Sequence, residues 1–194
     1  MQTTLERPPA AAPPHRFDVD DYYRMAEAGI LSAKDRVELI EGEVVDMAPI
    51  GSEHGGKVNR LNRLLAPAMA AGHAIVSVQN PLRLDRRNEP QPDLMLLRPR
   101  RDRYREGHPT AADVLLLVEI SDSSLAYDSG PKLALYARHG VPEVWVVDIV
   151  GRTVEVCLEP GPQGYARRRQ VAAGTVSPTL VSDLVIDPET LWGG

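Results

Sequence analysis

Asp93, Glu119 and Lys132 are the residues whose types and neighbours could do chemistry together. Asp93 enters the run Leu94-Met-Leu-Leu97, and Glu119 lies near the end of Asp113-Val-Leu-Leu-Leu-Val-Glu119-Ile-Ser121. Runs that are apolar at nearly every position read as strands covered on both faces. A carboxylate at the end of such a run needs solvent, a partner or a task. If the two strands are antiparallel neighbours, the start of one meets the end of the other. Two carboxylates brought that close repel, and one takes up a proton unless a cation stands between them. Mg²⁺, or Mn²⁺ in its place, suits such a pair, because a hard divalent ion keeps several waters and needs only one or two protein carboxylates. An ion held this way lowers the pKa of a bound water and polarises a phosphoryl oxygen.

Lys132 follows the polar segment Asp122-Ser-Ser-Leu-Ala-Tyr-Asp128 and opens a short predicted helix that ends near Gly140, with Pro131 fitting its first turn. A cation in the first turn opposes the helix dipole at a cost of ~0.3–1 kcal/mol, so a compensating partner is expected. Two readings stand side by side. Lys132 either holds a nucleophilic water and stabilises developing charge, or anchors its loop through an ion pair with Glu119 or Asp128.

Other candidates are weaker. Glu38 lies in Arg36-Val-Glu38-Leu-Ile-Glu41-Gly42-Glu43-Val-Val-Asp-Met47, a predicted hairpin turning at Glu41-Gly42, where glycine supplies the positive φ. Glu38 shares a face with Ile40, so it is either an edge carboxylate or part of a site. His54 sits at the start of a helix that Ser52 would cap, and either faces a site or is solvated. Arg98, Arg100, Arg101, Arg103 and Arg105, with Tyr104 among them, form a loop suited to phosphate contacts or simply a solvated charge run. Arg167-Arg168-Arg169 is a second basic spot.

The elements that position these residues follow from pattern and punctuation. Asp18 to Asp21 opens a helix that Gly29 ends. Val58, Leu61, Leu65 and Met69 keep helical spacing up to Gly72, with Pro67 as a kink. Ile75 to Val78 reads as a strand continued by Leu82 and Leu84. The strand ending at Ile120, the helix after Lys132 and the strand Glu143–Asp148 make a parallel crossover unit. Val154 to Val171, turning at Gly161-Pro-Gln-Gly164, is a β-meander, and Asp187-Pro188 starts a last helical turn that docks Leu191 and Trp192.

The chain has 194 residues, 43% hydrophobic and 25% charged, values of a globular protein. Residues 1–16 read as a Pro/Ala-rich flexible leader and residues 17–194 as one domain. A net charge of −5 argues against polyanion binding by the whole surface but permits a local basic groove. The single cysteine, Cys157, excludes a disulfide framework within the chain and a thiolate zinc cluster. No membrane-length apolar run and no signal-peptide core is present, so a cytoplasmic setting is expected.

Taken in order, Glu38-Leu-Ile-Glu41-Gly42-Glu43, Met47-Ala-Pro49, His54, Gln91-Pro92-Asp93-Leu94, Val118-Glu119-Ile-Ser121, Tyr127-Asp128, Lys132-Leu-Ala-Leu-Tyr136, Gly140-Val and Glu143-Val-Trp145-Val-Val-Asp148 carry a family likeness. The chain from about Phe17 onward resembles the Uma2 family of restriction endonuclease-like proteins, within the PD-(D/E)XK nuclease superfamily. The resemblance implies an α/β (mixed α+β) restriction endonuclease-like core, a central mixed sheet flanked by helices, here with an N-terminal β-hairpin and a C-terminal β-meander. Asp93 then matches the "PD" aspartate and Glu119 the second acid. The lysine usual two residues later is replaced by Ser121, and the resemblance implies that Lys132 takes its role, with Glu38 as the N-terminal acid. The expected activity is Mg²⁺-dependent phosphodiester hydrolysis, on DNA or alternatively RNA, by a homodimer. Asp93, Glu119 and the Ile120 carbonyl would be the ligands. Asp93→Ala or Lys132→Ala would then abolish cleavage with little loss of thermal stability. The competing expectation is a catalytically silent nucleic-acid-binding or assembly module that keeps the fold.

Overall fold

A computed structural model describes residues 13–32 and 34–192. In chain order its elements are α1 (Val19–Glu27), β1 (Val37–Ile40), β2 (Glu43–Asp46), α2 (Ser52–Ala70), β3 (Ile75–Val78), β4 (Leu94–Leu97), β5 (Val114–Ser121), α3 (Leu125–Tyr127), a π-turn (Asp128–Lys132), α4 (Leu133–Arg138), β6 (Glu143–Asp148), β7 (Thr153–Gly161), β8 (Gly164–Val171) and α5 (Glu189–Trp192). Strands β3 to β8 lie side by side in sequence order in one six-stranded sheet, and β1 and β2 form a separate hairpin. Only the β5–β6 pair is parallel, as the helical crossover between them requires. The sheet is therefore mixed, and β7 and β8 extend it as the expected meander.

Both apolar runs are fully buried because each face of the sheet is covered. Leu94, Leu96, Leu116, Val118 and Ile120 pack on Val58, Leu61 and Leu65 of α2 and on Leu184 and Leu191 near the C-terminus. Met95, Leu97, Val114 and Leu117 pack on Leu133, Tyr136 and Ala137 of α4. Glu119 and Ser121 alternate with Ile120, so they point toward the α4 face. The antiparallel register of β4 and β5 sets Leu94 opposite Val118, which brings Asp93 beside the end of β5.

The hairpin turns as expected, with positive φ at Glu41 (50°) and Gly42 (76°). A Cβ at Gly42 would also stand 2.8 Å from Arg16 Cβ and 2.9 Å from the Phe17 carbonyl oxygen, so this turn is closed to side chains on two counts. Residues 1–12 of the expected leader lie outside the described residues. Its last residue, Arg16, pairs with Glu43, and Phe17 N–H donates to the Gly42 carbonyl at 2.9 Å.

Several expectations need correction. Lys132 does not open its helix: the helical path starts at Leu125, and the Leu133 N–H reaches back five residues to the Asp128 carbonyl. Pro131 thus sits inside a π-turn, where i→i+5 bonding breaks the regular ladder, and the dipole penalty expected for a first-turn lysine does not apply. Leu82 and Leu84 do not prolong β3. The chain leaves the sheet at Gln79, whose φ is 49°, and Arg83 makes only an isolated bridge to Thr110. Asp113 belongs to a 3₁₀ turn (Ala111–Asp113) boxed with Thr110, and β5 starts at Val114. Ser52 is the first helical residue of α2, and Gly51 holds the N-cap position without a side-chain bond.

Candidate active site

Lys132 Nζ lies 3.1 Å from Glu38 Oε2 and 3.1 Å from Glu119 Oε1. All three groups are buried, at 4%, 2% and 3% exposure. One ammonium therefore joins the hairpin to the end of β5. The π-turn explains how a lysine from the crossover reaches there, because its wider turn rotates residue 132 relative to a regular helix. Asp128, at the start of that turn, does not pair with Lys132. Its Oδ2 accepts the hydroxyls of Ser121 at 2.7 Å and Ser124 at 2.5 Å.

Asp93 is held from three sides. Its Oδ2 accepts the Ile120 N–H at 2.8 Å, while its Oδ1 lies 2.8 Å from His54 Nε2 and 3.2 Å from Gln79 Nε2. His54 thus faces the site, reaching it from the start of α2. The bond to Asp93 raises the His54 pKa, and partial burial works against that rise. Glu119 Oε1 also accepts the Tyr136 hydroxyl at 2.5 Å, and Glu38 Oε2 accepts the Gln91 N–H at 3.1 Å. Burial pushes the Glu119 carboxyl above the ordinary carboxylate range. The Lys132 charge pulls it back down, and the Asp128 and Asp93 carboxylates add to the rise. Lys132 is shifted up by Glu119, Glu38 and Asp128, which outweigh the opposing effect of burial, so it stays an ammonium.

These groups line one cleft of about 380 Å³, together with Val45 to Gly51 and Asp122 to Ser124. Six acidic side chains (Glu38, Asp46, Asp93, Glu119, Asp122 and Asp128) border it against two fixed cations, Arg36 and Lys132, so acids outnumber bases even with a proton on Glu119. Such a cleft attracts a cation and repels a bare phosphodiester. Among the described residues no three His, Cys, Asp or Glu side chains form a ready-made metal cage. The donors instead fit a hydrated hard ion, which takes one or two carboxylates and keeps its waters.

Asp93, Glu119, Lys132 and Glu38 are brought together. The arginine loop is not. Asp93 precedes β4 and Arg98 follows it, so residues 98–105 lie at the opposite end of that strand from the cleft. There Arg100 binds Asp102 at 2.6 Å and stacks 4.1 Å from the Tyr104 ring. Arg168 is likewise taken up by Glu155 at 2.9 Å. Gln79 and Tyr136 were not singled out by sequence. Gln79 lies in the segment between Val78 and Leu82 that by sequence reads as continuous strand, and Tyr136 only closes the Lys132-Leu-Ala-Leu-Tyr136 motif. Lys132 is buried between Glu38 and Glu119, so Lys132→Ala is expected to cost stability as well as activity.

The family described as "Uma2: Putative restriction endonuclease" matches residues 19–188. The fold is shared with a crystal structure described as a putative nuclease belonging to DUF820, from Anabaena variabilis ATCC 29413. That chain is 14% identical, with a TM-score of 0.72 over 91% of this chain and 97% of the other. No curated protein matches the chain. With the family matched over most of its length and the mixed sheet, hairpin and helices in place, the chain belongs to the Uma2 family of restriction endonuclease-like proteins.

Proposed function

We propose that residues 17–194 work as a single nuclease domain that hydrolyses phosphodiester bonds in DNA with the help of Mg²⁺ or Mn²⁺. The observation that carries this reading is the Lys132 ammonium 3.1 Å from both Glu38 and Glu119, beside an Asp93 that bonds the neighbouring Ile120 N–H. Asp93, Glu119 and the Ile120 carbonyl would hold the ion. When bound, it supplies charge neutralisation at the phosphate and a more acidic water.

The remaining work falls to the side chains. Lys132 orients the nucleophilic water and offers its charge to the phosphate oxygens as negative charge builds there. Glu38, across the same ammonium, accepts the proton the water loses as its oxygen bonds to phosphorus. The phosphorus–oxygen bond opposite the water breaks, and the leaving alkoxide takes a proton from solvent. Tyr136 fixes Glu119, and His54 with Gln79 fixes Asp93.

Among the described residues no helix is long and apolar enough to cross a membrane. Together with the lone cysteine, this supports a reaction in the cytoplasm. Cutting both strands of a duplex with one site per chain calls for two copies, which makes a homodimer part of the duplex-cutting reading.

A second reading, a silent binding module, is favoured by one observation. Every acid expected to act is already engaged by protein donors. The two are separated by incubating the chain with supercoiled, linear, single-stranded and branched DNA, and with RNA, in Mg²⁺ and Mn²⁺, beside Asp93→Asn. Metal-dependent cleavage lost in Asp93→Asn supports the nuclease. Cleavage that survives in that variant, or none on any substrate, sinks it.

A further inference from the structure

The floor and the wall of the cleft differ in kind. Glu38, Asp93, Glu119 and Lys132 form a buried, charged floor. Met47, Pro49, Ile50 and Tyr127 line the same space nearer solvent; Met47 and Tyr127 are half-buried, Pro49 is exposed, and Ile50 is 43% exposed. The apolar part of this wall comes from the link between β2 and α2, and the aromatic part from α3. An isoleucine left open at the mouth of an acidic cleft contributes nothing to charge and little to the core.

Two quantities limit what can enter. At about 380 Å³ the cleft stands at the low end of the ~300–1,000 Å³ typical of small-molecule sites. That is room for one nucleotide, not for a double helix. The floor groups are also almost wholly buried, whereas the phosphates of a duplex are fixed on a rigid cylinder. A single strand can bend a phosphate down to the floor. The excess of negative charge further means that phosphate attraction cannot supply the affinity, so contact with the faces of bases must. Aromatic and apolar side chains do this for any base, because every base presents a π-face.

We infer that Tyr127, with Met47, Pro49 and Ile50, is a base-stacking platform, and that the cleft takes one unpaired nucleotide of a DNA strand, an inference that rests on the nuclease reading above. A frayed end or single strand is then the preferred substrate, and a duplex must first open. Because stacking and not ion pairing holds the strand, affinity falls only shallowly with salt, unlike binding through many phosphate contacts.

The test uses the full chain and a fluorescent oligothymidylate, alone and annealed to its complement. Anisotropy is read before Mg²⁺ is added, and initial cleavage rates afterwards. The single strand is expected to bind more tightly than the duplex. Tyr127→Ala should weaken strand binding by about 5- to 150-fold, the range spanned by one base–aromatic stack, and should raise KM for the strand more than it lowers kcat. Tyr127→Phe keeps the ring and should keep the affinity, which separates stacking from a folding defect. Equal binding of strand and duplex, or unchanged strand binding by Tyr127→Ala, overturns the inference. If a duplex is cut without preference for the strand, and Asp93→Asn stops it, the platform is lost while the nuclease stands. If neither is cut but strand binding depends on Tyr127, the nuclease reading falls and the platform stands.

Discussion

Ser121 Oγ donates to Asp128 Oδ2 across 2.7 Å, tying the end of β5 to the first residue of the π-turn that carries Lys132. With a short side chain there, the strand end can hold the following turn, and the turn delivers an ammonium to Glu119 from outside the strand. Lys132 and Ser121 are thus two parts of one arrangement.

Ser121→Ala removes one of the two hydroxyls on Asp128 and leaves the carboxylate with Ser124. Loss of a buried hydrogen bond to a charged group should lower the unfolding free energy by about 1.5–3 kcal/mol. Because the turn aims Lys132, any DNA cleavage should fall by a larger factor than Mg²⁺ affinity does. Denaturant unfolding with parallel calorimetry checks both. Cleavage and stability equal to the parent would show that the Ser121 bond positions nothing.

Glu119 should make ion uptake depend on pH. Burial raises its carboxyl, so over the window from the ordinary carboxylate range up to the raised value it carries a proton that an incoming Mg²⁺ must displace. His54 acts with the same sign, since its raised pKa keeps positive charge beside Asp93 to higher pH. Affinity for Mg²⁺ should therefore increase as pH rises, with proton release on binding. Glu119→Gln should remove the Glu119 share of that release and leave the share of His54. Calorimetry in buffers of differing ionisation enthalpy measures the protons directly; affinity flat with pH, or proton uptake, would count against Glu119 as a ligand.

Much of this site could be read from sequence, for a physical reason. Asp93 begins and Glu119 closes a run too apolar to face water, and antiparallel pairing brings the start of one beside the end of the other by geometry alone. Glu38 was legible only as half a choice, because alternation gives the face of a strand but not what covers it. The contacts of His54, Gln79 and Tyr136 depend on how α2, the break after β3 and α4 dock on the sheet, and no local pattern encodes that. Pro131 looked like a helix start because proline favours the first turn; the π-turn is instead held at its first residue, Asp128, by the hydroxyls of Ser121 and Ser124, which a proline rule does not record. The arginine loop was assigned by composition. Its place at the far end of β4 follows from strand direction, which composition does not record.

Lys132 is the residue whose removal should be felt most in stability. It bridges two buried acids, and Lys132→Ala leaves Glu38 without its counter-charge, while burial already holds a proton on Glu119. Breaking a buried pair by deleting one partner costs ~3–5 kcal/mol, so a loss of that size in urea unfolding near neutral pH is expected. Adding Glu38→Gln to Lys132→Ala removes the stranded charge and should recover part of the stability, giving a coupling energy between positions 38 and 132. If Lys132→Ala unfolds within about 1 kcal/mol of the parent at neutral pH, well short of that range, the ammonium is not the counter-charge of Glu38. The geometry at 3.1 Å would then be a contact without an energetic role.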